Sequence, residues 1–514
     1  MPEKTVSIAD ERKTEGDEQV EGVTPMNWRS KSLAFWPLLA LLFSAATLTL
    51  TVRPLAASTN ASPADSATGG PVMVKDINLS GDSRPVGLAE VNGTLYFVAD
   101  DGTHGYEPWK SDGTEAGTAL VKDINPGGEN SFPSEFRGLD GLLFFRADDG
   151  AHGRELWKSD GSEAGTVMVK DINPAGDSSP GGFWVLNDML LFGADDGVHG
   201  TELWKSDGSE AGTVMVKDIN PAGDSSPGGL WVLNDMLLFS ADDGVHDREL
   251  WKSDGTEAGT VMVKDINPTG RYDSTLFNWG VTAAVNDTLF FAAQDEATGV
   301  ELWKTDGTEG GTVMVKDIHG NDSSYPHSLA VVGDTLFFAA DDGSHGHELW
   351  RSDGTEAGTE MVADIKPGRR ASQPDALTDM NGTLVFGAGD AVHGVELWKS
   401  DGTEAGTVMV KDINPEVNPG GPMFLTVMGD MLFFSADHYL YGYELWRSDG
   451  TELGTVLVKD IRPSVDWGYP EFLTVVDDML FFAASDGIHG RELWKLDASA
   501  LVPSEVVYCP LVVG

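Results

Sequence analysis

The chain is poor in most of what would identify it quickly. It has one cysteine, Cys509, in 514 residues. That excludes an intramolecular disulfide, a CxxC metal knuckle and a dithiol redox pair. Basic residues are scarce, 34 against 82 acidic ones, and the formal net charge is −48. A surface so acidic repels phosphates, which argues against nucleic acid and anionic lipid as partners. Enzyme signatures are missing too. There is no GxSxG elbow, no P-loop, no HExxH pair and no dinucleotide fingerprint behind a strand. What the chain does have is apolar content, 40% of its residues, with 62 Gly and 25 Pro. That composition suits a large folded core and not a disordered chain.

Long apolar runs are confined to one place. Ser32–Val52 carries no charge and is flanked by Arg29, Lys31 and Arg53. Its length suits a membrane-spanning helix. Its basic lead and the small residues Ala56, Ala57 and Ser58 also suit a cleaved secretory signal, especially if the true start is Met26. Either reading places the remainder outside the cytoplasm, secreted or membrane-anchored, with the membrane touched only through residues 32–52. The expected organisation is a polar lead (1–31), a signal or anchor (32–58), a Ser/Ala/Thr/Gly linker (59–71), a repeat region (72–497) and an apolar tail (498–514).

Repetition dominates that region. ELWKSDGTEAGTVMVKDI, Glu396–Ile413, recurs in close copies, and its tryptophan falls at 109, 157, 204, 251, 303, 350, 398, 446 and 494. Each unit reads as four short strands. LAEV, TLYFVAD, YEPWKSD and TALVKDI are separated by NGT, DDGTHG and GTEAG turns, and helical apolar spacing is absent. Four antiparallel strands every 47–52 residues are the unit of a β-propeller blade. The expected fold is therefore all-β, a single propeller of nine four-stranded blades. The region opens on a fourth strand, VMVKDI (72–77), and ends on a third, RELWKLD (491–497). The N-terminal strand is expected to complete the ninth blade and close the ring. Eight blades plus one extra unit, or two smaller rings, are the alternatives. Ser159–Lys205 and Ser206–Lys252 differ at only four positions, the mark of a recent duplication.

The repeated ELWKSDGTEAGT and VMVKDI segments resemble the bacterial ELWxxDGT-repeat proteins over about residues 72–497. The resemblance implies an exported, propeller-like protein and no particular catalytic activity. Departures are local: Pro108 in the first copy, QDEATG (294–299) in the fifth, and ADHYLYG (436–442) in the eighth.

Three groups of residues are candidates for chemistry. The DDGxHG turns supply His104, His152, His199, His246, His345, His393 and His489, one per blade, on the rim where propellers usually bind ligands. They suit an anion or a metal, or simply a cap for each hairpin. Asp101, Glu107 and Asp123, with their equivalents in other blades, are an oxygen-rich candidate for calcium, with ion pairing to Lys110 and Lys122 as the competitor. Trp184, Trp231, Trp279 and Trp467 lie outside the ELW tripeptide and are candidates for stacking on sugars, whereas the ELW tryptophans are expected between sheets. An asymmetric pocket is expected in the least regular stretches, 269–279, 319–327 and 464–469. The reading favoured by these features is a non-enzymatic, extracytoplasmic module that binds protein or glycan at the cell surface, with no cofactor beyond candidate calcium. A secreted polysaccharide hydrolase or lyase, and a calcium-stabilised adhesion or matrix protein, are the alternatives.

Overall fold

Turn chemistry sets the fold locally. In the first unit Val86–Val91, Thr94–Asp100, Tyr106–Ser111 and Ala119–Leu120 pair in chain order as one antiparallel sheet. Asn92 and Gly93 join the first two strands with φ of 51° and 74°, the left-handed pair that a two-residue hairpin demands. The computed structural model describes residues 69–268, 274, 282–320, 322–415, 421–463 and 467–497. Among these there is no helix, and nine four-stranded sheets succeed one another. After blade 1 come blade 2 (134–170), blade 3 (181–217), blade 4 (228–264), blade 5 (282–316), blade 6 (327–363), blade 7 (375–411), blade 8 (423–459) and blade 9 (471–497).

Blade 9 borrows its fourth strand from the far end of the chain. Val72–Lys75 pairs antiparallel with Arg491–Asp497, with Val72 opposite Lys495. The architecture is a nine-bladed β-propeller, and the eight-bladed and two-ring alternatives do not apply. Among the described residues no helix is long and apolar enough to cross a membrane. Residues 32–52 and the tail lie outside the described residues.

Each seam between neighbouring blades has its own apolar core. Second strands are buried on both faces, and Leu95, Phe97 and Ala99 are wholly inaccessible. This is why they read as unbroken apolar runs and not as an alternation. The third strand divides its residues between two neighbours. Trp157 of blade 2 packs with Val91, Tyr96, Val121 and Ile124 of blade 1. Leu156, one residue earlier, packs with Phe183 and Phe192 of blade 3. Trp109 meets Val74, Ile77, Phe481 and Leu493 of blade 9, so the closing seam is built like the others. Trp184 and Trp231 also pack into seam clusters.

Lysine bridges the seams. Lys170 of blade 2 donates to the Thr213 carbonyl of blade 3 at 2.8 Å, and Lys158 donates to the Gly208 carbonyl at 2.8 Å. Equivalent bonds run from Lys110, Lys122, Lys205, Lys217, Lys252, Lys264, Lys304 and Lys316. Lys110 and Lys122 therefore serve as clamps on neighbouring backbone carbonyls, not as partners of nearby carboxylates. The seam between blades 6 and 7 lacks both clamps. Ala363 stands at one lysine position, and Arg351 at the other turns to Glu360 of its own blade. A half-exposed charged donor on a carbonyl contributes about 1 kcal/mol. Ala363→Lys is expected to stabilise the ring by about that amount, and Lys264→Ala to destabilise it similarly. Urea unfolding midpoints of the two variants check this, and unchanged midpoints in both would remove the clamps from the account of stability.

Candidate functional site

The DDGxHG turns and the loops that cross from blade to blade share one rim. Gly102 abuts Asn78 of the loop entering blade 1, and Tyr106 N donates to Asn130 Oδ1 of the loop leaving it at 2.9 Å. Gly105 has φ of 73°, and a Cβ there would lie 2.6 Å from the Glu129 carbonyl oxygen. Only glycine fits such a site without strain. Each turn is wedged between two crossing loops, and together they form the upper face.

The turn histidines cap their own hairpins. Asp101 Oδ1 accepts from Thr103 N and His104 N at 2.9 Å, and its Oδ2 lies 2.7 Å from His104 Nδ1. The same contact recurs at His152, His199, His246, His345, His393 and His489. Their side chains are 36–45% exposed, and each is committed to its own turn. The hydrogen bond to Asp101 raises the His104 pKa above its ordinary value. Burial pushes Asp101 up, but the bonds from His104 and Thr103 outweigh it and hold the carboxyl below its usual range.

Glu107 stands at the turn end of its blade, close enough to His104 to act on its charge. It is fully buried, and its carboxylate brackets the crossing loop. Oε2 accepts from Ile124 N at 2.9 Å and Ser131 Oγ at 2.6 Å, and Oε1 accepts from Ser131 N at 3.0 Å. The Ser131 carbonyl in turn accepts from Asp148 N of blade 2 at 2.9 Å. Asp123 Oδ1 is buried without a hydrogen-bond partner, and Asp101 is spent on its turn. The three are not assembled as ligands. Among the described residues no group of three His, Cys, Asp or Glu side chains is disposed to hold a metal ion. The SDGT turns on the opposite face are self-contained: Asp112 Oδ1 accepts from Thr114 N and Oγ1 at 2.8 and 2.7 Å.

Symmetry breaks where blade 8 meets blade 9. The ADHYLYG turn and the loop ending at Tyr469 stand side by side, since Tyr469 N donates to the Tyr443 carbonyl at 3.0 Å. Tyr443 and Tyr469 stack with centroids 5.0 Å apart and planes within 8°. Trp467 stands edge-on to both, at 6.0 and 5.1 Å, and is 49% exposed. His438 lies between Tyr439 and Tyr441 at 4.6 and 4.9 Å. Beside them Asn414 Nδ2 donates to Asp437 Oδ2 at 3.4 Å, and burial raises the Asp437 pKa. Of the tryptophan candidates, Trp467 is on the upper face in an exposed cluster, and Trp279 lies outside the described residues. His438 and Tyr469 fall in two of the irregular stretches, 436–442 and 464–469, whereas Tyr443 stands in an otherwise regular third strand. The signal was the coincidence of two departures from the repeat at consecutive places on one rim.

No family model and no curated protein matches the chain. Among solved structures the chain is similar to the computationally designed Ika8 protein, at 15% identity and a TM-score of 0.41, over 83% of this chain and 99% of that one. It is also similar to puromycin hydrolase, at 16% identity and a TM-score of 0.35, over 81% of this chain and 61% of the hydrolase. A prolyl endopeptidase aligns at 12% identity and a TM-score of 0.36, over 69% and 54% of the two chains. Likenesses at this level carry no functional argument.

Two predictions follow from the buried glutamates. In Glu202→Ala, Ile219 N, Ser225 N and Ser225 Oγ lose their acceptor, at a cost of about 2–5 kcal/mol. Thermal unfolding should detect that loss, and a shift near zero would remove the bracket's importance. The second concerns pH. Burial pushes Glu107, Glu249, Glu396, Glu444 and Glu492 up to about 7, against the pull of their hydrogen-bond donors. These groups and the turn histidines hold protons more tightly folded than unfolded. Stability therefore rises as pH falls from about 8 towards 5. The Asp101 family is depressed when folded, so its contribution is lost as pH falls further, through those folded values. The melting temperature is expected to peak near about pH 5. A higher melting temperature at pH 8 than at pH 5 would contradict this.

Proposed function

We propose that the chain is a non-enzymatic, extracytoplasmic binding module that takes a glycan on the upper rim of blades 8 and 9. One observation carries the reading: the half-exposed Trp467 against the stacked Tyr443–Tyr469 pair, in a molecule where eight of the nine repeated tryptophans are buried and Trp398 is partly so. An exposed indole braced by aromatic neighbours offers a rigid apolar face for a sugar ring. Asp437, partly buried and close enough to Tyr443 and Tyr469 to act on their phenols, offers carboxylate oxygens suited to sugar hydroxyl groups. A neutral glycan fits better than a polyanion, because the chain carries a formal net charge of −48. The uncharged run 32–52 and the resemblance to ELWxxDGT-repeat proteins support placement outside the cytoplasm.

The test is a neutral glycan panel followed by calorimetry on the best binder. Trp467→Ala is expected to weaken binding about tenfold or more, the equivalent of about 1.4 kcal/mol, with the melting temperature nearly unchanged. Retention of full affinity in Trp467→Ala would overturn the site. Release of new reducing ends from a bound glycan would move the chain to the hydrolase reading.

A further inference from the structure

The irregular stretch 319–327 leads into a second asymmetric feature, in blade 6. His327 opens the first strand of that blade and His347 opens the third. The small Ala339 on the strand between them pairs with His327, and Asp341 pairs with His347. The two imidazoles meet over this strand, with centroids 5.0 Å apart and planes at 66°. Unlike the turn histidines, His347 has no aspartate on its Nδ1. That atom is buried and without a hydrogen-bond partner. His327 directs its own Nδ1 to the Tyr325 carbonyl at 3.1 Å. A buried polar atom left unpaired in this way requires a reason.

We propose that His327 and His347 form a two-imidazole site for a divalent late first-row metal ion, with solvent completing the coordination. One nitrogen from each ring can reach a common ion at the usual metal–imidazole distance of about 2.0–2.1 Å. Burial, with His327 alongside, lowers the His347 imidazole below the usual histidine range. Asp341 supplies a negative charge on the same sheet face. Affinity should follow the Irving–Williams order, with Cu²⁺ the tightest. The location has a consequence for the ring. Alternation along the third strand puts His347 on the face of Leu349, which packs against Leu384 and Phe386 of blade 7. Ser328, next to His327, donates to Asp375 Oδ1 of blade 7 at 2.6 Å. The site thus lies at the upper edge of the seam that has neither lysine clamp.

The purified protein is titrated with Cu²⁺ alone and examined by calorimetry and pulsed electron paramagnetic resonance. One Cu²⁺ per chain, coupled to two imidazole nitrogens, is expected. His327→Gln and His347→Gln should each lower the affinity at least tenfold and abolish the rise in melting temperature that Cu²⁺ produces. His152→Gln, at a turn cap, should change neither. The proposal is overturned by an affinity that survives both blade 6 substitutions, or by a signal with a single imidazole nitrogen. Circular dichroism of the metal-free variants separates loss of the site from loss of the fold.

Discussion

A buried carboxylate at each blade junction is the constraint on which the ring depends. Glu107 ties the end of its own fourth strand, through Ile124 N, to the residue that starts the passage to the next blade, Ser131. Burying an ionisable group costs several kcal/mol unless donors surround it. Here the donors are backbone amides and a hydroxyl that would otherwise be stranded in the same dry pocket. Each side of the bracket therefore satisfies the other. The serine's carbonyl engages the following sheet, so one side chain sets the position of two blades. Closure uses the same device. Glu492 accepts from Ile77 N at 2.9 Å and Ser83 Oγ at 2.6 Å, across more than 400 residues of sequence. The joint between the chain ends is made as the internal joints are.

Around these brackets the molecule separates two kinds of surface. The lower SDGT turns and the seam lysines repeat with little variation, because they hold the blades to themselves and to one another. The upper rim carries the variation. Where the bracket serine becomes Gly468, the neighbouring loop presents Trp467 and Tyr469, and Glu444 accepts from the backbone amides of Ile461, Arg462 and Gly468. Where the seam lysines fail, between blades 6 and 7, the rim carries paired histidines. Structural regularity and chemical individuality thus occupy different ends of the same strands.

Much of the fold was legible because the repeat exposes its own grammar. Even tryptophan spacing, NG turns and the fourth strand at the start of the region lead to nine closed blades. The site was legible only in part. A carboxylate reads the same in sequence whether it is exposed and free to bind calcium or buried under a crossing loop. For that reason Glu107 was expected among metal ligands and proved to be a bracket. Lys110 and Lys122 were likewise expected near carboxylates, yet their length carries them across the seam to backbone carbonyls. Trp467 could be singled out because it breaks the pattern. The meeting of Tyr443 with Tyr469 depends on which loops are neighbours on the rim, and that of His327 with His347 on the register of the first and third strands of blade 6 against the strand between them.

The near-identity of Ser159–Lys205 and Ser206–Lys252 has a geometric consequence. Because each unit touches only its two neighbours, adding one leaves every contact type intact and alters only the wedge between adjacent sheets. Going from eight units to nine narrows that wedge from about 45° to about 40°. Side chains at the seams absorb so small a change by minor adjustments of packing. A ring jointed in this way can lengthen its circumference by copying a single segment of its gene. Each copy also adds one more rim position at which a new residue can be tried without disturbing the rest.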